Sequence, residues 1–459
     1  MPVAEQSARS GKGIPGRPSD EGAADGQSEM KQHSSDGDRE LGGRHAHYVL
    51  IVCSLLYMVN YMDRWVLAAV LQPMKVALGL TDTQAGSLQT MFFLGMAAFS
   101  LPVAHLVDRW SRRKAVGLMA LVWSAFTFIT GLGRSYLAVL LPRVMVGVGE
   151  SAFAAGGTAW ITGVYPPALR GRVMGVFYLI TPLGATAGFI LGGLISQRMG
   201  AWYYPFFVFA IPGAVLGTLA LFLRDYRTVE HRDDRGNRTG FVTSIAGLLR
   251  IPTLRWLYVG YGLKSLMNYT LPAWLPAYFM RSQGVAEDQA GVAMGVIALM
   301  AVAGAGIGGV LADRWQQTNP RGRMLLNATS DVLAAACAIG ALLLDVAGIG
   351  YLLMCAWCAT SILGIPALSA VTQDVVNPAF KGISYGAGVF FSYVLGGAWG
   401  PVAVGAMSDA LGGGAEGLKY AMLIFSLAGF AAAFANWLGS RTYPADMEKV
   451  AGALPQVES

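Results

Sequence analysis

The sequence predicts an all-α membrane protein with twelve transmembrane helices in two pseudo-symmetric six-helix bundles. Three observations predict it: an apolar composition, a series of twelve apolar stretches, and motifs that recur in both halves. Of the 459 residues, 54% are hydrophobic and only 13% are charged, whereas soluble domains carry about 25% charged residues. This composition excludes an ordinary soluble enzyme, a disordered chain and a disulfide scaffold.

Apolar stretches of the length that a membrane-spanning helix needs, about 20 residues, follow one another from His47 onward. The more polar segment 224–252 separates six stretches from six. We predict spans at residues 47–73, 83–107, 113–132, 135–163, 169–197, 202–223, 253–281, 288–312, 323–345, 348–373, 382–409 and 416–439.

These spans predict a domain organisation. We expect a disordered N-terminal tail over 1–44, because it is polar and nearly free of aromatic residues. After this tail we expect four further segments: an N-terminal bundle over 45–224, a linker over 225–251, a C-terminal bundle over 252–441 and a cytoplasmic tail over 442–459.

Lys and Arg residues concentrate in the loops after even-numbered spans. The loops after odd-numbered spans carry only Lys75, Arg134, Arg198, Arg281 and Lys419. Because loops rich in Lys and Arg stay in the cytoplasm, we expect both termini and the even-numbered loops to be cytoplasmic. The same bias accounts for the net charge of +6 without a nucleic-acid partner. The composition, rich in Ala, Gly and Arg, favours a bacterial inner membrane.

Short motifs recur in the two halves in the same order. Gln84-Ala85-Gly86 recurs as Gln289-Ala290-Gly291, Leu106–Trp110 as Leu311–Trp315, and Asn60-Tyr61 as Asn268-Tyr269. Such parallel repeats are typical of transporters whose substrate site lies between the repeats near the bilayer midplane.

Span 1 carries Asp63 and Arg64, and span 4 carries Arg143 and Glu150. Ionisable groups are costly inside a bilayer, so we expect them to face a cavity or one another. Arg143 and Glu150 are nearly two helical turns apart and share one face. Two carboxylates and two guanidiniums form a candidate proton relay. The alternative is a static ion network that fixes the interface between spans 1 and 4.

Span 7 places Lys264 near the middle of the membrane, followed by aromatic and amide side chains. An ammonium that faces a cavity would attract an anionic head group. Alternatively, Lys264 snorkels or pairs with Asp331 or Asp374, although for both carboxylates we favour pairing with loop arginines. The candidate substrate-binding residues are Tyr61, Lys264, Asn268, Tyr269 and Trp274. No set of residues suggests an enzyme or a metal site.

The stretch from Ala104 to Arg113 resembles the loop signature of the major facilitator superfamily, although Ala104 replaces the usual glycine. The resemblance implies the major facilitator fold and a gating role for this loop and for its second copy. Charged residues there can pair across helix ends and latch the halves closed on the cytoplasmic side. The alternative is an anchor that only sets topology. The candidate gating residues are Asp108, Arg109, Arg112, Arg113, Asp313 and Arg314.

The motif Asn60-Tyr61-Met62-Asp63-Arg64, with Arg143 and Glu150, resembles both the spinster-like lipid transporters and the organic anion:cation symporters; Arg172–Tyr178 and Ser408–Gly412 favour spinster. That resemblance implies proton-coupled transport of amphipathic anionic lipids, lysophospholipid- or sphingoid-like, or related hydrophobic compounds. The alternatives are a proton-coupled symporter of small organic acids and a non-transporting sensor. We expect a monomer that needs no cofactor besides the proton gradient.

Overall fold

A computed structural model describes residues 42–109, 111–151, 153–223, 241–377 and 380–453, with side chains left undescribed at 101–102, 104–109, 241–244 and 452–453. The predicted disordered segment therefore lies mostly outside the described residues, as does most of the linker. Within the described part, the linker contains a short helix, Phe241–Leu248.

The first half contains six long helices in antiparallel succession. They are α1 (Arg44–Leu78), α2 (Asp82–Arg109), α3 (Arg112–Leu132), α4 (Tyr136–Glu150 and Phe153–Val164), α5 (Pro167–Met199) and α6 (Tyr204–Phe222). Two serines begin helices of this half by capping: Ser111 accepts a hydrogen bond from the Lys114 amide at 3.3 Å, and Ser135 accepts one from the Ala138 amide at 3.4 Å.

The second half repeats this arrangement. Its helices are α7 (Pro252–Gln283), α8 (Glu287–Thr318), α9 (Gly322–Leu343), α10 (Ile349–Leu363 and Ile365–Asp374), α11 (Lys381–Ser392, a π-turn Tyr393–Gly397 and Gly400–Ala410) and α12 (Gly414–Ser426 and Ala428–Ala453). Within the described ranges, ten of these twelve helices are long and apolar enough to cross a membrane. The other two, α2 and α7, have 28 and 32 residues and complete the predicted twelve.

The repeat is visible in the backbone at the turn after the first helix of each half. Gly79 ends α1 with φ 64°, and Gly284 ends α7 with φ 63°. Both glycines adopt the left-handed conformation that side chains disfavour, so the same tight turn closes both helices. Lys75 and Arg281 lie in the last turns of these helices, where a cation is favourable for the helix dipole.

The two halves meet closely at the odd-loop face, which we define as the membrane face with the turns at 79–81, 200–203, 284–286, 344–348 and 411–413. A Cβ atom added at Gly193 of α5 would lie 2.3 Å from the Glu287 carbonyl oxygen of α8. One added at Gly405 of α11 would lie 2.2 Å from the Asp82 carbonyl oxygen of α2. Glycine is therefore required where the halves touch.

The opposite face, which carries residue 44 and the ends of α2, α6 and α8, is the even-loop face. Here the side chains at the beginnings of α5 and α11 are exposed, including Leu169, Val176 and Tyr385. The described hydrogen bonds between the halves lie nearer the odd-loop face, so we infer that the halves separate toward the even-loop face.

The C-terminal boundary differs from the prediction. Helix α12 continues to Ala453, so residues 442–453 are helical and the predicted tail 442–459 begins twelve residues too early. The reason is side-chain packing: the Tyr443 hydroxyl donates to Asp374 at 2.6 Å, and Asp446 accepts from the Thr253 hydroxyl at 2.8 Å.

Candidate functional site

The charged residues predicted in spans 1 and 4 come together inside the N-terminal half. Asp63 and Arg143 have no exposed surface, and Glu150 and Arg64 are 2% and 5% exposed. Helix α1 supplies consecutive residues on adjoining faces, whereas α4 supplies two residues from one face. We call Asp63, Arg64, Arg143 and Glu150 the central cluster.

One ion pair joins the two helices of the central cluster. Arg64 Nη2 lies 3.2 Å from Glu150 Oε2, and the same nitrogen donates to Asn60 Oδ1 at 3.3 Å. The guanidinium also lies over the Tyr61 ring, 4.5 Å from its centroid. Arg64 is therefore held between an acidic partner and an aromatic face.

Asp63 and Arg143 are joined differently. Arg143 Nη1 donates to the backbone carbonyl of Asp63 at 3.5 Å, while its guanidinium lies 4.8 Å from the Phe92 ring centroid. The Asp63 carboxylate accepts a hydrogen bond from Thr127 at 3.4 Å. Among the described residues, Asp63 Oδ1 and Glu150 Oε1 have no hydrogen-bond donor, so each can take up a proton without breaking a contact.

Sequence reasoning did not identify Thr127 or Phe92 as members of this site. Thr127 lies between Ser124 and Thr130 at a spacing of three residues, and this row of hydroxyl groups in an apolar span is the signal that could have indicated it. Phe92 carried no signal, because its position over two guanidiniums depends on how α2 packs against α4. That packing is close because Gly147 of α4 faces the Phe92 carbonyl, where a Cβ would lie at 2.2 Å.

Three of the predicted substrate-binding residues lie near the interface between the halves. Tyr61, Asn268 and Tyr269 are each partly exposed. The Tyr269 ring is 4.7 Å from that of Phe93 in the other half, and Tyr61 is 5.2 Å from Tyr57. These rings form an aromatic wall that opens toward the even-loop face.

The substrate-binding prediction for Lys264 is not supported by its position. Its ammonium lies 2.7 Å from Asp331 Oδ1, and Asn436 donates to the other carboxylate oxygen at 2.8 Å. All three side chains are buried inside the C-terminal bundle, where an ammonium needs a counter-charge. Asp331 therefore pairs with Lys264 and not with a loop arginine, whereas Asp374 does pair with one, Arg323, at 2.6 Å.

Trp274, another predicted substrate-binding residue, is buried between helices in this conformation. Its indole nitrogen donates to the Pro401 carbonyl of α11 at 2.9 Å, and the side chain has no exposed surface. The ring packs between helices near the odd-loop face, because an indole nitrogen that is buried must find an acceptor.

The predicted gating residues whose side chains the structure describes make no hydrogen bond or ion pair between the halves. Arg112 donates to the Ala159 carbonyl at 2.7 Å and Arg113 to the Leu223 carbonyl at 3.3 Å, both within the first half. Asp313 pairs with Arg323 at 3.2 Å within the second half, and Arg314 is exposed. The side chains of Asp108 and Arg109 lie outside the described residues.

The charged side chains that do join the halves, among the described residues, lie at the odd-loop face, and the sequence did not reveal these contacts. Arg281 of α7 donates to both carboxylate oxygens of Asp82, at 2.7 and 2.8 Å. Lys75 also pairs with Asp82, and Ser408 of α11 donates to it at 2.6 Å. Burial opposes ionisation, but these donors prevail and lower the pKa of Asp82, which precedes the predicted span 83–107, to about 2.

Asp409 adds a second connection. Its carboxylate accepts hydrogen bonds from the backbone amides of Asp82 and Thr83 at 3.0 and 2.8 Å. Amides at the beginning of a helix have no acceptor within that helix. The carboxylate from α11 therefore caps α2, a helix of the other half. We call Lys75, Asp82, Arg281, Ser408 and Asp409 the odd-loop gate.

A profile of the Major Facilitator Superfamily matches residues 53–401. An MFS-type efflux pump of Mycolicibacterium smegmatis is 28% identical over 417 residues, which cover 88% of this chain and 95% of the pump. Protein spinster homolog 1 of Xenopus tropicalis is 26% identical over 446 residues, covering 88% and 82%. The sphingosine-1-phosphate transporter SPNS2 of Mus musculus is 29% identical over 240 residues, covering 51% and 44%.

Solved structures have the same fold. The crystal structure of a bacterial homolog to the human lysosomal transporter spinster, inward-facing and unoccupied, superposes with a TM-score of 0.77 at 22% identity and covers 88% of this chain and 99% of that one. A D-xylose-proton symporter superposes with a TM-score of 0.65 at 13% identity, covering 85% and 96%. The chain belongs to the Major Facilitator Superfamily of membrane transporters, within which it resembles the spinster branch.

Proposed function

We propose that this protein is a proton-coupled secondary transporter that moves amphipathic anionic lipids, lysophospholipid- or sphingoid-like, or related hydrophobic compounds by alternating access. The observation that carries the proposal is the buried central cluster, in which two carboxylates and two guanidiniums lie inside a membrane helix bundle. Placing an ionisable side chain inside a membrane costs free energy, and such residues usually mark a substrate or proton pathway. Four of them in one cluster therefore indicate a functional role.

The proposed coupling follows from the ion pair between Arg64 and Glu150. The guanidinium, 3.2 Å from the carboxylate, is a counter-charge that favours the ionised form of Glu150. If an anionic substrate draws Arg64 away, the buried carboxylate loses its counter-charge and takes up a proton, for which Oε1 is free. Asp63, which precedes Arg64 in α1 and accepts a hydrogen bond from Thr127, provides the second proton acceptor.

The proposed route begins at the even-loop face, where the halves separate and which we propose to be cytoplasmic. An acyl or sphingoid chain would lie along the aromatic wall that includes Tyr57, Tyr61 and Tyr269, while the anionic head approaches Arg64. The similarity to the sphingosine-1-phosphate transporter SPNS2 supports this substrate class. The efflux pump among the relatives supports export.

The experiment is transport by the full-length protein in proteoliposomes, with and without a pH gradient. Lysophospholipids and sphingoid phosphates are supplied in one pool and small organic acids in another. Asp63→Asn and Glu150→Gln each remove one proton acceptor, and we expect both to abolish stimulation by the gradient. Glu416→Gln, an exposed carboxylate at the beginning of α12, is the matched control. Normal gradient-driven transport by both cluster variants would refute proton coupling here.

One observation favours the second candidate, a proton-coupled symporter of small organic acids such as sugar acids or aromatic carboxylates. Arg143 is fully buried, and its Nε and Nη2 atoms have no acceptor among the described residues. A guanidinium with two free donors suits a substrate carboxylate. Uptake from the organic-acid pool alone, lost in Arg143→Gln, would favour this candidate over lipid transport.

A further inference from the structure

The C-terminal half contains an apolar groove that is separate from the central cluster and from the odd-loop gate. It lies between α8, α9 and α10 toward the even-loop face and has a volume of about 500 Å³. Its walls include Leu311, Trp315, Leu326, Leu333 and Leu363, and Arg314 lies at its rim.

The groove faces outward, away from the interface between the halves. Leu311 is 39% exposed and Leu333 is 47% exposed, so in a membrane these side chains contact lipid. Leu326 and Leu333 are seven residues apart on α9, which extends the groove about 10 Å along the helix axis. This length suits the part of an acyl chain nearest the head group.

The charge at the rim is that of Arg314, which is available to a ligand. Its neighbour Asp313 pairs with Arg323 at 3.2 Å, and Asp374 pairs with the same arginine at 2.6 Å. Arg314 is exposed and makes no ion pair with the described residues. Trp315 beside it is the side chain typical of the boundary between head groups and acyl chains.

We propose that this groove binds one anionic phospholipid, with an acyl chain between α8 and α9 and the phosphate on Arg314. An exposed guanidinium above an apolar groove matches both parts of such a lipid, because arginine makes charge-assisted bonds to phosphate and basic pockets between membrane helices bind anionic head groups. This site is independent of the transported substrate. Leu363 immediately precedes the break in α10 at Gly364, so a bound chain packs against that break and stabilises it.

The test uses the purified full-length protein in a neutral detergent, titrated with phosphatidylglycerol or with phosphatidylcholine of the same acyl chains. Native mass spectrometry counts bound lipid, and thermal unfolding reports stabilisation. We expect one tightly bound phosphatidylglycerol and a higher unfolding temperature, with a weaker effect of phosphatidylcholine. Arg314→Gln should weaken phosphatidylglycerol binding about fivefold, because one basic residue near the membrane surface is worth about that factor. Leu333→Trp should fill the groove and reduce binding of both lipids.

The matched control is Arg321→Gln, which removes another exposed arginine, in the turn after α8, without touching the groove. Arg314→Lys keeps the charge and should retain part of the affinity even if Arg314→Gln folds poorly. Equal binding of the two lipids would overturn the proposal. Equal losses in the Arg314→Gln and Arg321→Gln variants would also overturn it, because they would indicate only general attraction to the basic face.

Discussion

Arg281 of α7 donates two hydrogen bonds to the carboxylate of Asp82 of α2, and this pair spans the boundary between the two halves of the molecule. The Asp82 side chain is fully buried and that of Arg281 is 8% exposed. A paired, bidentate contact of this kind is strong and directional. It holds the odd-loop face closed while the even-loop face is open.

Replacing Asp82 with Asn should therefore favour opening of the odd-loop face. Removing one partner of a buried ion pair costs about 3 kcal/mol or more, and here the cost falls on one conformation of the transporter. Distances between spin labels across the odd-loop face should lengthen in the Asp82→Asn protein. Asp345→Asn is the control, since Asp345 lies on the same face but pairs with Lys419 in its own half. Unchanged distances in Asp82→Asn would show that the pair does not hold the gate.

The odd-loop gate should be insensitive to pH in the physiological range. The pKa of Asp82 is lowered to about 2, because hydrogen bonds from Arg281, Lys75 and Ser408 outweigh its burial. A lowered carboxyl pKa stabilises the closed gate above the ordinary value near 3.8, and that contribution is lost only as the pH falls through about 2. The same spin-label distances in the unmodified protein should stay constant between about pH 5 and 8. Opening of the gate within that range would contradict this assignment.

The close contact between α5 and α8 gives a steric prediction. In Gly193→Ala the new methyl group would lie 2.3 Å from the Glu287 carbonyl oxygen, so the closed odd-loop face cannot form without a backbone shift. We expect increased labelling of a cysteine introduced behind the gate. Gly306→Ala is the control, because a Cβ there meets nothing within 4 Å, and alanine should add up to about 1 kcal/mol of helix stability. Equal labelling of the two variants would exclude a steric role for Gly193.

The pair of Lys264 and Asp331 predicts a loss of stability that a second substitution repairs. Lys264→Met leaves a buried carboxylate without its counter-charge and should destabilise the C-terminal bundle by about 3–5 kcal/mol. Lys264→Met combined with Asp331→Asn removes both charges and should recover much of the unfolding temperature. Transport by the stable double variant at the normal rate would confirm a structural role. Loss of transport despite restored stability would contradict a purely structural role and would support substrate binding by Lys264.

The sequence by itself determined the fold class of this protein, its division into two repeats and the depth of its intramembrane charges. These properties depend on length, composition and helical period, which are local. Asp63 and Glu150 could be placed on facing helices because each lies a countable number of residues from a helix end. Helix α12 continues past the predicted boundary at residue 441, because contacts of Tyr443 and Asp446 with distant helices extend it.

Only the tertiary structure decided which charges pair. Lys264 meets Asp331, and Arg281 meets Asp82, across 67 and 199 residues of sequence. In the sequence, Arg281 indicates only the topology of its loop. Nothing indicates a role for Asp82, because a single charged residue near a helix end is common. The conformation is also a tertiary property: the contacts at Gly193, Gly405 and Asp82 close the odd-loop face, and no local pattern in the sequence indicates which face is closed.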